Sequence, residues 1–350
     1  MKIKAIRSSL EHLDLTKPYS ISGYTFSHVS IAFLEIELEN GIIGLGTGSP
    51  AEEVVGETAE MSVTNLQSDF VQGLMGRNIA DYPIIIQEIR AQFPHLPGTQ
   101  AAIDIALHDA FAKWKGRSVI SLFGQKIKEL PTSVTIGIMP ISDAIEEART
   151  FEKLGFKILK VKTGENVDED IERVKRLQEH IGSRMKIRVD PNQGYDLPAL
   201  KKFISHTSGI ELIEQPLPVG QETELNGLLH HGLMADESIT DLAAAIKLAE
   251  FPQPFKIYNI KLMKTGGIQA ALEIAQVAQR AHIDLFWGCN DESILSITAA
   301  LHAAYAMPNT RYLDLDGSFD LAHDLVKGGF SLHDGCMRIV EKPGFGVERR

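Results

Sequence analysis

The alternation of apolar and polar positions changes character near residue 132. Before that point, residues 1–15 (MKIKAIRSSLEHLDL) and 30–48 (SIAFLEIELENGIIGLGTG) alternate with a period of two, which predicts antiparallel strands, the second stretch turning at Asn40-Gly41. Residues 53–92 and 98–115 show helical periodicity instead. Gly23 and the run from Gly46 to Pro50 have the composition of loops. The first third of the chain therefore predicts an α+β domain.

Beyond residue 132, short apolar segments alternate with amphipathic helices at a spacing of 22 to 28 residues. The eight predicted strands begin at Val134, Ile158, Lys186, Ile210, Gly232, Lys256, Asp284 and Tyr312. Eight strand-plus-helix units of this length close a (β/α)₈ barrel, and the GxGxxG fingerprint of the rival open sheet is missing. We predict an α/β protein with a capping domain over 1–125, a barrel over 126–325 and a tail, 326–350, that returns to the capping domain.

Composition narrows the functional classes. The chain has 350 residues, of which 44% are hydrophobic, and a net charge of −11, which argues against binding to nucleic acids or anionic membranes. Its two cysteines, Cys289 and Cys336, form no disulfide framework. Neither a signal peptide nor an apolar run of membrane-spanning length is evident. We therefore expect a soluble, cytoplasmic protein, and a homo-oligomer is compatible with this sequence.

Polar side chains cluster where the predicted barrel strands end. Residues i and i+2 share a face of a strand, so pairs such as Lys160 and Lys162, or Asp314 and Asp316, point to the same side. The predicted strand ends carry Lys160, Lys162, Asp190, Asn192, Glu214, Asp236, Lys261, Asp314 and Asp316. Barrel enzymes build their active sites at the C-terminal ends of the strands, so these residues predict a catalytic site.

The residue types suggest a chemistry. Asp190, Glu214 and Asp236 come from three successive strands, and three converging carboxylates repel one another unless a hard cation such as Mg²⁺ lies between them. Lys162 and Lys261 arrive from opposite sides. A nearby cation, whether the metal or Lys160, is expected to lower the pKa of these lysines toward neutrality. Such lysines could remove a proton from one face of a carbon atom and return it to the other.

Five motifs resemble the enolase superfamily, muconate-lactonising-enzyme subgroup. They are KVK at 160–162, VDPNQGY at 189–195, IEQP at 213–216, MADES at 234–238 and NIKLMKTGGI at 259–268. The first third resembles that family's capping domain. Asp314 and Asp316, in the sequence DLD, resemble the signature of the dipeptide epimerases, in which paired aspartates hold the free α-ammonium group of the substrate.

The resemblance implies a role for each site residue. Lys162 and Lys261 would be the acid/base catalysts, and Asp190, Glu214 and Asp236 would bind one Mg²⁺ per subunit. Lys160 would neutralise the substrate carboxylate, Asn192 would support the metal ligands, and Thr135 would line the substrate pocket. The implied reaction is inversion of the α-carbon of a dipeptide's C-terminal residue, which makes the protein an isomerase.

Two departures bear on the substrate. L-Ala-D/L-Glu epimerases carry an arginine in the capping loop that pairs with the Glu side chain, and Tyr24 aligns with it here. Asn290 and Asp291 put polar groups where the family has apolar ones, and Asp291 would disfavour an anionic side chain. These residues favour a small uncharged dipeptide such as Ala-Ala.

Other readings stay open. An L-Ala-D/L-Glu epimerase, an o-succinylbenzoate synthase, an N-acyl amino acid racemase or a cycloisomerase would use the same lysines and metal, and a non-catalytic scaffold is a further alternative. Outside the predicted site, His108 and Asp109 read as structural residues. Gly266-Gly267 reads as a tight turn between a strand and a helix, or as a phosphate cradle.

Overall fold

The N-terminal part of the protein is an antiparallel sheet. The structure, a computed structural model, describes residues 1–21, 24–228 and 232–350, with only the backbone of 18–21 and 24–26. The sheet contains β1 (Ile3–Ile21), β2 (Tyr24–Leu38) and β3 (Ile43–Gly48), in that order. The predicted hairpin is confirmed, because β2 and β3 pair around Gly41, whose φ is 83°.

Six helices follow in the described part of the capping domain. They are α1 (Glu52–Val55), α2 (Ala59–Leu66), α3 (Asp69–Gln72), α4 (Tyr82–Gln92), α5 (Pro97–Trp114) and α6 (Ile120–Phe123). Helix α5 is buried along most of its length, because it lies against the sheet on one side and contacts barrel helices on the other. Its small residues allow both contacts at close range.

Strand β3 packs directly on α5 through its glycines. A Cβ atom added to Gly46 would collide with the carbonyl oxygen of Ala102, and one added to Gly44 would collide with that of Ala106. The prediction of a loop from Gly46 to Pro50 is therefore wrong for its first half. These glycines belong to a strand, and they are needed because a helix backbone lies against them.

We expect Gly46→Val to destabilise the capping domain by about 3 kcal/mol or more, because the added side chain overpacks the contact with Ala102. Ile43→Val, at the start of the same strand, should cost less than about 1.5 kcal/mol. Urea unfolding of both variants measures the difference, and equal midpoints would contradict the close packing.

The second part of the chain is the predicted barrel. After the short β4 (Leu130–Pro131), its strands are β5 (Val134–Ile136), β6 (Ile158–Lys162), β7 (Lys186–Asp190), β8 (Ile210–Glu214), β9 (Leu233–Ala235), β10 (Ile257–Ile260), β11 (Asp284–Trp287) and β12 (Thr310–Leu313). They are parallel and hydrogen-bonded in chain order. The amide of Ser133 donates to the carbonyl of Leu313 at 3.1 Å, which joins the first strand to the last.

Helices surround these strands. They are α7 (Ile141–Lys153), α8 (Val167–Ile181), α9 (Leu197–His206), α10 (Leu242–Ala249), α11 (Leu262–Thr265), α12 (Ile268–Arg280) and α13 (Ile294–Ala306). The apolar faces of α8 and α12 lie against the barrel and their charged faces are in solvent. The largest described apolar cluster runs between the strands and these helices.

The C-terminal tail forms four short strands. They are β13 (Val326–Gly328), β14 (Phe330–His333), β15 (Cys336–Ile339) and β16 (Val347–Arg349). Here the amide of Phe345 donates to Asp109 on α5 at 3.0 Å, and Arg349 pairs with Glu35 on β2. None of the helices in the described ranges has both the length and the hydrophobicity to cross a bilayer.

Candidate active site

Lys160 lies at the centre of the polar cluster at the strand ends. Its Nζ atom is 2.7 Å from Glu214 Oε2, 2.9 Å from Asp314 Oδ2 and 3.1 Å from Asp190 Oδ2. Burial opposes its charge, but the surrounding carboxylates raise the pKa of Lys160 well above its ordinary value. The structure therefore joins residues from β6, β7 and β8 and from the loop after β12 in one buried charge network.

Asp190, Glu214 and Asp236 lie side by side on adjacent strand ends and are at most 2% exposed. Burial would raise the pKa of Asp190, yet Lys162 and Lys160 lower it to about 2. Burial and the neighbouring Asp190 raise the pKa of Glu214 to about 8. The pKa values of Asp190 and Glu214 diverge because the ionised Asp190 repels a second negative charge on the nearby Glu214.

These three carboxylates fit a magnesium ion. Their oxygen-only donor set suits a hard divalent cation. Burial, and after it the charge of Asp190, raises the pKa of Glu214, and the buried Glu214 Oε2 accepts no hydrogen bond among the described residues. Across the described residues, no three acidic, histidine or cysteine side chains form a ready-made metal cage. The ammonium group of Lys160 lies between Asp190 and Glu214 instead.

Lys162 and Lys261 approach from opposite sides of the barrel. Lys162 is on β6 and Lys261 follows β10, four strands away in a barrel of eight. Lys162 Nζ is 2.7 Å from Asp190 Oδ2 and 2.8 Å from the side-chain oxygen of Asn192. Lys261 Nζ is 2.9 Å from Asp236 Oδ2. Each lysine is thus held by a carboxylate of the acidic cluster.

The expected lowering of the lysine pKa by Lys160 is wrong for Lys261. Burial and the charge of Lys160 act to lower this pKa, but the attraction of Asp236 is stronger and the pKa of Lys261 is raised. The lowering expected from a bound metal stays a prediction. The sequence places the cations near each other, but it does not reveal that each ammonium group also contacts a carboxylate.

The two aspartates after β12 have different partners. Asp314 accepts a hydrogen bond from Ser133 Oγ at 2.5 Å and pairs with Lys160. Asp316 Oδ2 accepts from both the amide and the hydroxyl of Thr135, each at 2.8 Å. Burial and the charge of Asp314 raise the pKa of Asp316 to about 8, so this carboxylate attracts a proton or a cation. Its Oδ1 has the Cys289 thiol at 3.9 Å.

The loop after β11 joins the barrel to the capping domain. The Asn290 side chain donates to the Ser49 carbonyl, and Ser49 Oγ donates to the Asp291 carbonyl, both at 3.0 Å. The side-chain amide of Asn290 is therefore engaged by the loop that follows β3 of the capping domain. Burial and Asp320 raise the pKa of Asp291 to about 6, although Lys162 and Lys261 act in the opposite direction. The Tyr24 side chain lies outside the described residues.

Sequence reasoning missed one acid of this site. Glu237 is partly buried, and one of its oxygens, Oε1, accepts from Asn192 Nδ2 at 3.4 Å while Oε2 has no partner among the described groups. Strict alternation along a strand would turn Glu237 away from Asp236, but β9 ends at Ala235 and the alternation ends with it. The sequence signal for Glu237 was its position directly after Asp236, a proposed metal ligand.

Lys264 contacts the acidic cluster through Asp236. Its ammonium group contacts Asp236 and donates to the Asp236 and Asn259 carbonyls at 2.6 and 3.1 Å. Burial lowers its pKa below the ordinary value. Lys264 therefore orients a proposed metal ligand.

Two protein-family models match the chain. Residues 5–124 match the mandelate racemase/muconate lactonizing enzyme N-terminal domain, and residues 143–350 match the enolase C-terminal domain-like family. The two matches correspond to the capping domain and to the barrel with its tail.

Characterised relatives cover the whole chain. An L-Lys-D/L-Arg epimerase of Desulforapulum autotrophicum is 48% identical, with 100% of both chains covered. A hydrophobic dipeptide epimerase of Enterococcus faecalis is 33% identical, with 99% of both chains covered. The crystal structure of a dipeptide epimerase from Methylococcus capsulatus, complexed with Mg and the dipeptide L-Arg-D-Lys, superimposes with a TM-score of 0.97 at 45% identity, covering 99% of both chains.

Proposed function

This chain belongs to the mandelate racemase/muconate lactonizing enzyme family of the enolase superfamily and is a dipeptide epimerase, and from that premise we propose that its substrates are dipeptides with basic side chains. The relatives that are 45% and 48% identical are both L-Lys-D/L-Arg epimerases, and the relative that acts on hydrophobic dipeptides is more distant, at 33%.

The observation that carries this substrate class is the partly buried carboxyl group of Asp291. Asp291 follows β11 at the C-terminal end of the barrel strands, and the charges of Lys162 and Lys261 act to lower its pKa. Among the described residues no hydrogen bond to its carboxyl group is found. An apolar side chain beside Asp291 would leave this charge desolvated and unpaired, which is costly. A lysine or arginine side chain would pair with it.

The small uncharged dipeptide favoured by the sequence analysis is therefore not our proposed substrate. That preference treated Asp291 only as a group that repels anions. Burial and the charge of Asp320 both raise the pKa of Asp291, so a second acid lies near its carboxyl group. Two neighbouring acids favour a cation over a neutral group.

In the proposed mechanism, Asp316 and Asp314 hold the α-ammonium group of the dipeptide, beside Thr135 and Lys160. Lys162 Nζ and Lys261 Nζ face the α-carbon of the C-terminal residue from opposite sides. One of these atoms, in its neutral form, accepts the α-proton, and the other, in its ammonium form, donates a proton to the opposite face, which inverts the centre.

Charge stabilisation completes the mechanism. Lys160, whose Nζ is 2.7 Å from Glu214 Oε2, would lie next to the substrate carboxylate and offset its added negative charge as the proton leaves. Asp190, Glu214 and Asp236 would hold the Mg²⁺, which supplies further positive charge for the same oxygens. Asn192 contacts Lys162 and keeps it directed to its side of the site.

The test is α-proton exchange in deuterated water with Mg²⁺, read by mass spectrometry on a dipeptide library. The library contains Lys-Lys, Lys-Arg, Ala-Ala and Ala-Glu in all stereochemistries, together with N-acyl amino acids, which lack the ammonium group that Asp316 would hold. We expect label to enter the basic dipeptides fastest. Preferred labelling of Ala-Ala or Ala-Glu would refute the substrate class, and labelling of N-acyl amino acids alone would refute dipeptides as substrates.

We expect Asp291→Asn to lower kcat/KM for Lys-Arg dipeptides about 30-fold, because a charge-assisted contact is lost, and to leave Ala-Ala nearly unchanged. The pKa of Asp291 is about 6, so its side chain becomes protonated and neutral below that pH. The preference for basic over neutral dipeptides should therefore rise between pH 5 and 7 in the parent. In the variant, which has no carboxyl group at this position, the preference should not change over that range. Glu165→Gln, an exposed acid after β6, is the charge-matched control. An equal effect of both substitutions would argue against a specific contact.

A further inference from the structure

Helix α5 of the capping domain contacts the barrel segment that carries Lys261. We propose that Asp104 on this helix is a positioning residue for Lys261, so that the capping domain supports one of the two proton-transfer lysines. This role rests on the proposed function, because the two-lysine mechanism assigns each lysine to one epimer of the substrate.

Asp104 caps a helix that belongs to the barrel. Its Oδ1 accepts from the amide of Ile268 at 2.9 Å, and its Oδ2 accepts from the amide of Gln269 at 3.2 Å. These amides begin α12, whose own N-cap residue is Gly267 and has no side chain to bind them. The cap is therefore supplied by a residue 164 positions earlier in the chain, from another domain.

A short hydrogen-bonded link connects this cap to Lys261. The amide and the hydroxyl of Thr265 donate to the Lys261 carbonyl at 3.1 and 3.2 Å, and the amide of Gly267 donates to the Leu262 carbonyl at 3.1 Å. The seven residues from Lys261 to Gly267, the N-cap of α12, thus form one compact unit. A shift of α12 would move the backbone of Lys261.

The glycine pair allows α5 to lie against this unit. Gly266 and Gly267 have φ values of 89° and 101°, and a Cβ on Gly267 would lie 2.6 Å from the Cβ of Asp104. A Cβ on Gly266 would collide with the side chain of Gln100. The phosphate-cradle reading of these glycines is therefore wrong, because the Asp104 carboxylate already binds the amides that a phosphate would need.

His108 holds Asp104 in place. Its Nδ1 is 3.1 Å from Asp104 Oδ1, and its ring lies between those of Tyr82 and Phe123, with centroids 4.9 and 5.6 Å away. The polar partners of Lys162, by contrast, are Asp190 and Asn192 of the barrel itself. Loosening Asp104 should therefore disturb Lys261 more than Lys162, whereas a general loss of structure would disturb both.

The test compares Asp104→Asn with the parent in deuterium washout from each epimer of one basic dipeptide. Lys261→Ala first identifies the epimer that Lys261 deprotonates. We expect Asp104→Asn to slow washout from that epimer about tenfold, because small misplacements of a catalytic group cost this much, and from the other epimer less than about twofold. Asp196→Ala removes an exposed local cap of α9 and should slow neither selectively.

Equal slowing of both epimers by Asp104→Asn would overturn the positioning role. If that variant does not fold, His108→Gln serves instead, with the same epimer expected to slow about threefold and equal slowing again counting against the role. If Lys261→Ala itself does not distinguish the epimers, the proposed two-lysine mechanism fails, and that result is separate from the one for Asp104.

Discussion

We expect Lys162→Ala and Lys261→Ala each to lose epimerisation by at least about a thousandfold in kcat/KM, yet each should still exchange the α-proton of one epimer. The loss follows because a positioned general acid or base contributes about 10²–10⁴-fold, and inversion requires one on each face. The remaining lysine still removes and returns the proton on its own side. The two variants should therefore show opposite preferences when the D- and L-epimers are incubated separately in deuterated water.

A lysine at the other end of the barrel serves as the control for this prediction. Lys186 begins β7 and pairs with Glu211 at 2.6 Å, far from the strand ends that carry the site. Lys186→Ala should leave exchange of both epimers within about twofold, as expected for an exposed ion pair. If Lys162→Ala and Lys261→Ala both kept exchanging both epimers, a one-base mechanism or a different base would be required.

Glu214→Gln is expected to reduce activity by at least about a thousandfold and to abolish the stabilisation of the protein by Mg²⁺, because the middle carboxylate of the proposed ligand set is removed. Without added metal the variant should be no less stable than the parent. Lys160 keeps Asp190 and Asp314 as partners, so its charge is not left unpaired.

The pH dependence of this stability has a defined sign. The pKa of Glu214 is raised from 4.5 to about 8 in the folded protein, so the folded state binds this proton more tightly than the unfolded state. Folding stability from this group is therefore lost as pH rises from about 4.5 to about 8, by at most about 5 kcal/mol. Glu214→Gln removes this loss, so with a chelator present the variant should unfold at a higher temperature than the parent at pH 9.

Thermal unfolding with Mg²⁺ or with a chelator, at pH 5 and at pH 9, measures both effects. Glu211→Gln is the matched control, because Glu211 is on the same strand but binds Lys186 and Arg188. That variant should retain the Mg²⁺-induced rise in unfolding temperature. A Glu214→Gln protein that still responded to Mg²⁺ would show that Glu214 is not a ligand.

The barrel and the polar character of its strand ends are determined by the sequence alone. Seven of the eight observed barrel strands begin within one residue of the predicted start, and one begins two residues earlier, at Thr310. Such agreement is possible because strand alternation and a repeat of 22 to 28 residues are local properties that a single sequence displays. The same alternation directs Lys160, Lys162 and Asp190 toward the barrel interior.

The identity of each side chain's partner was decided by the tertiary structure. Pattern reasoning predicts Asn290 in the substrate pocket, and only the structure shows that its amide binds Ser49 of the capping domain, 241 residues away. It also read Asp291 as a group that only repels anions. The structure shows it beside another acid, which favours a cation.

The same distinction explains Lys261 and Asp104. A sequence shows that a lysine ends a strand, but its pKa depends on whether a carboxylate such as Asp236 lies within 3 Å, because electrostatic interactions act through space. Likewise, nothing in the local pattern around Asp104 indicates that it caps a helix of the barrel. Periodicity reports which face of an element is buried, and only the packing of distant elements determines what each buried polar group contacts.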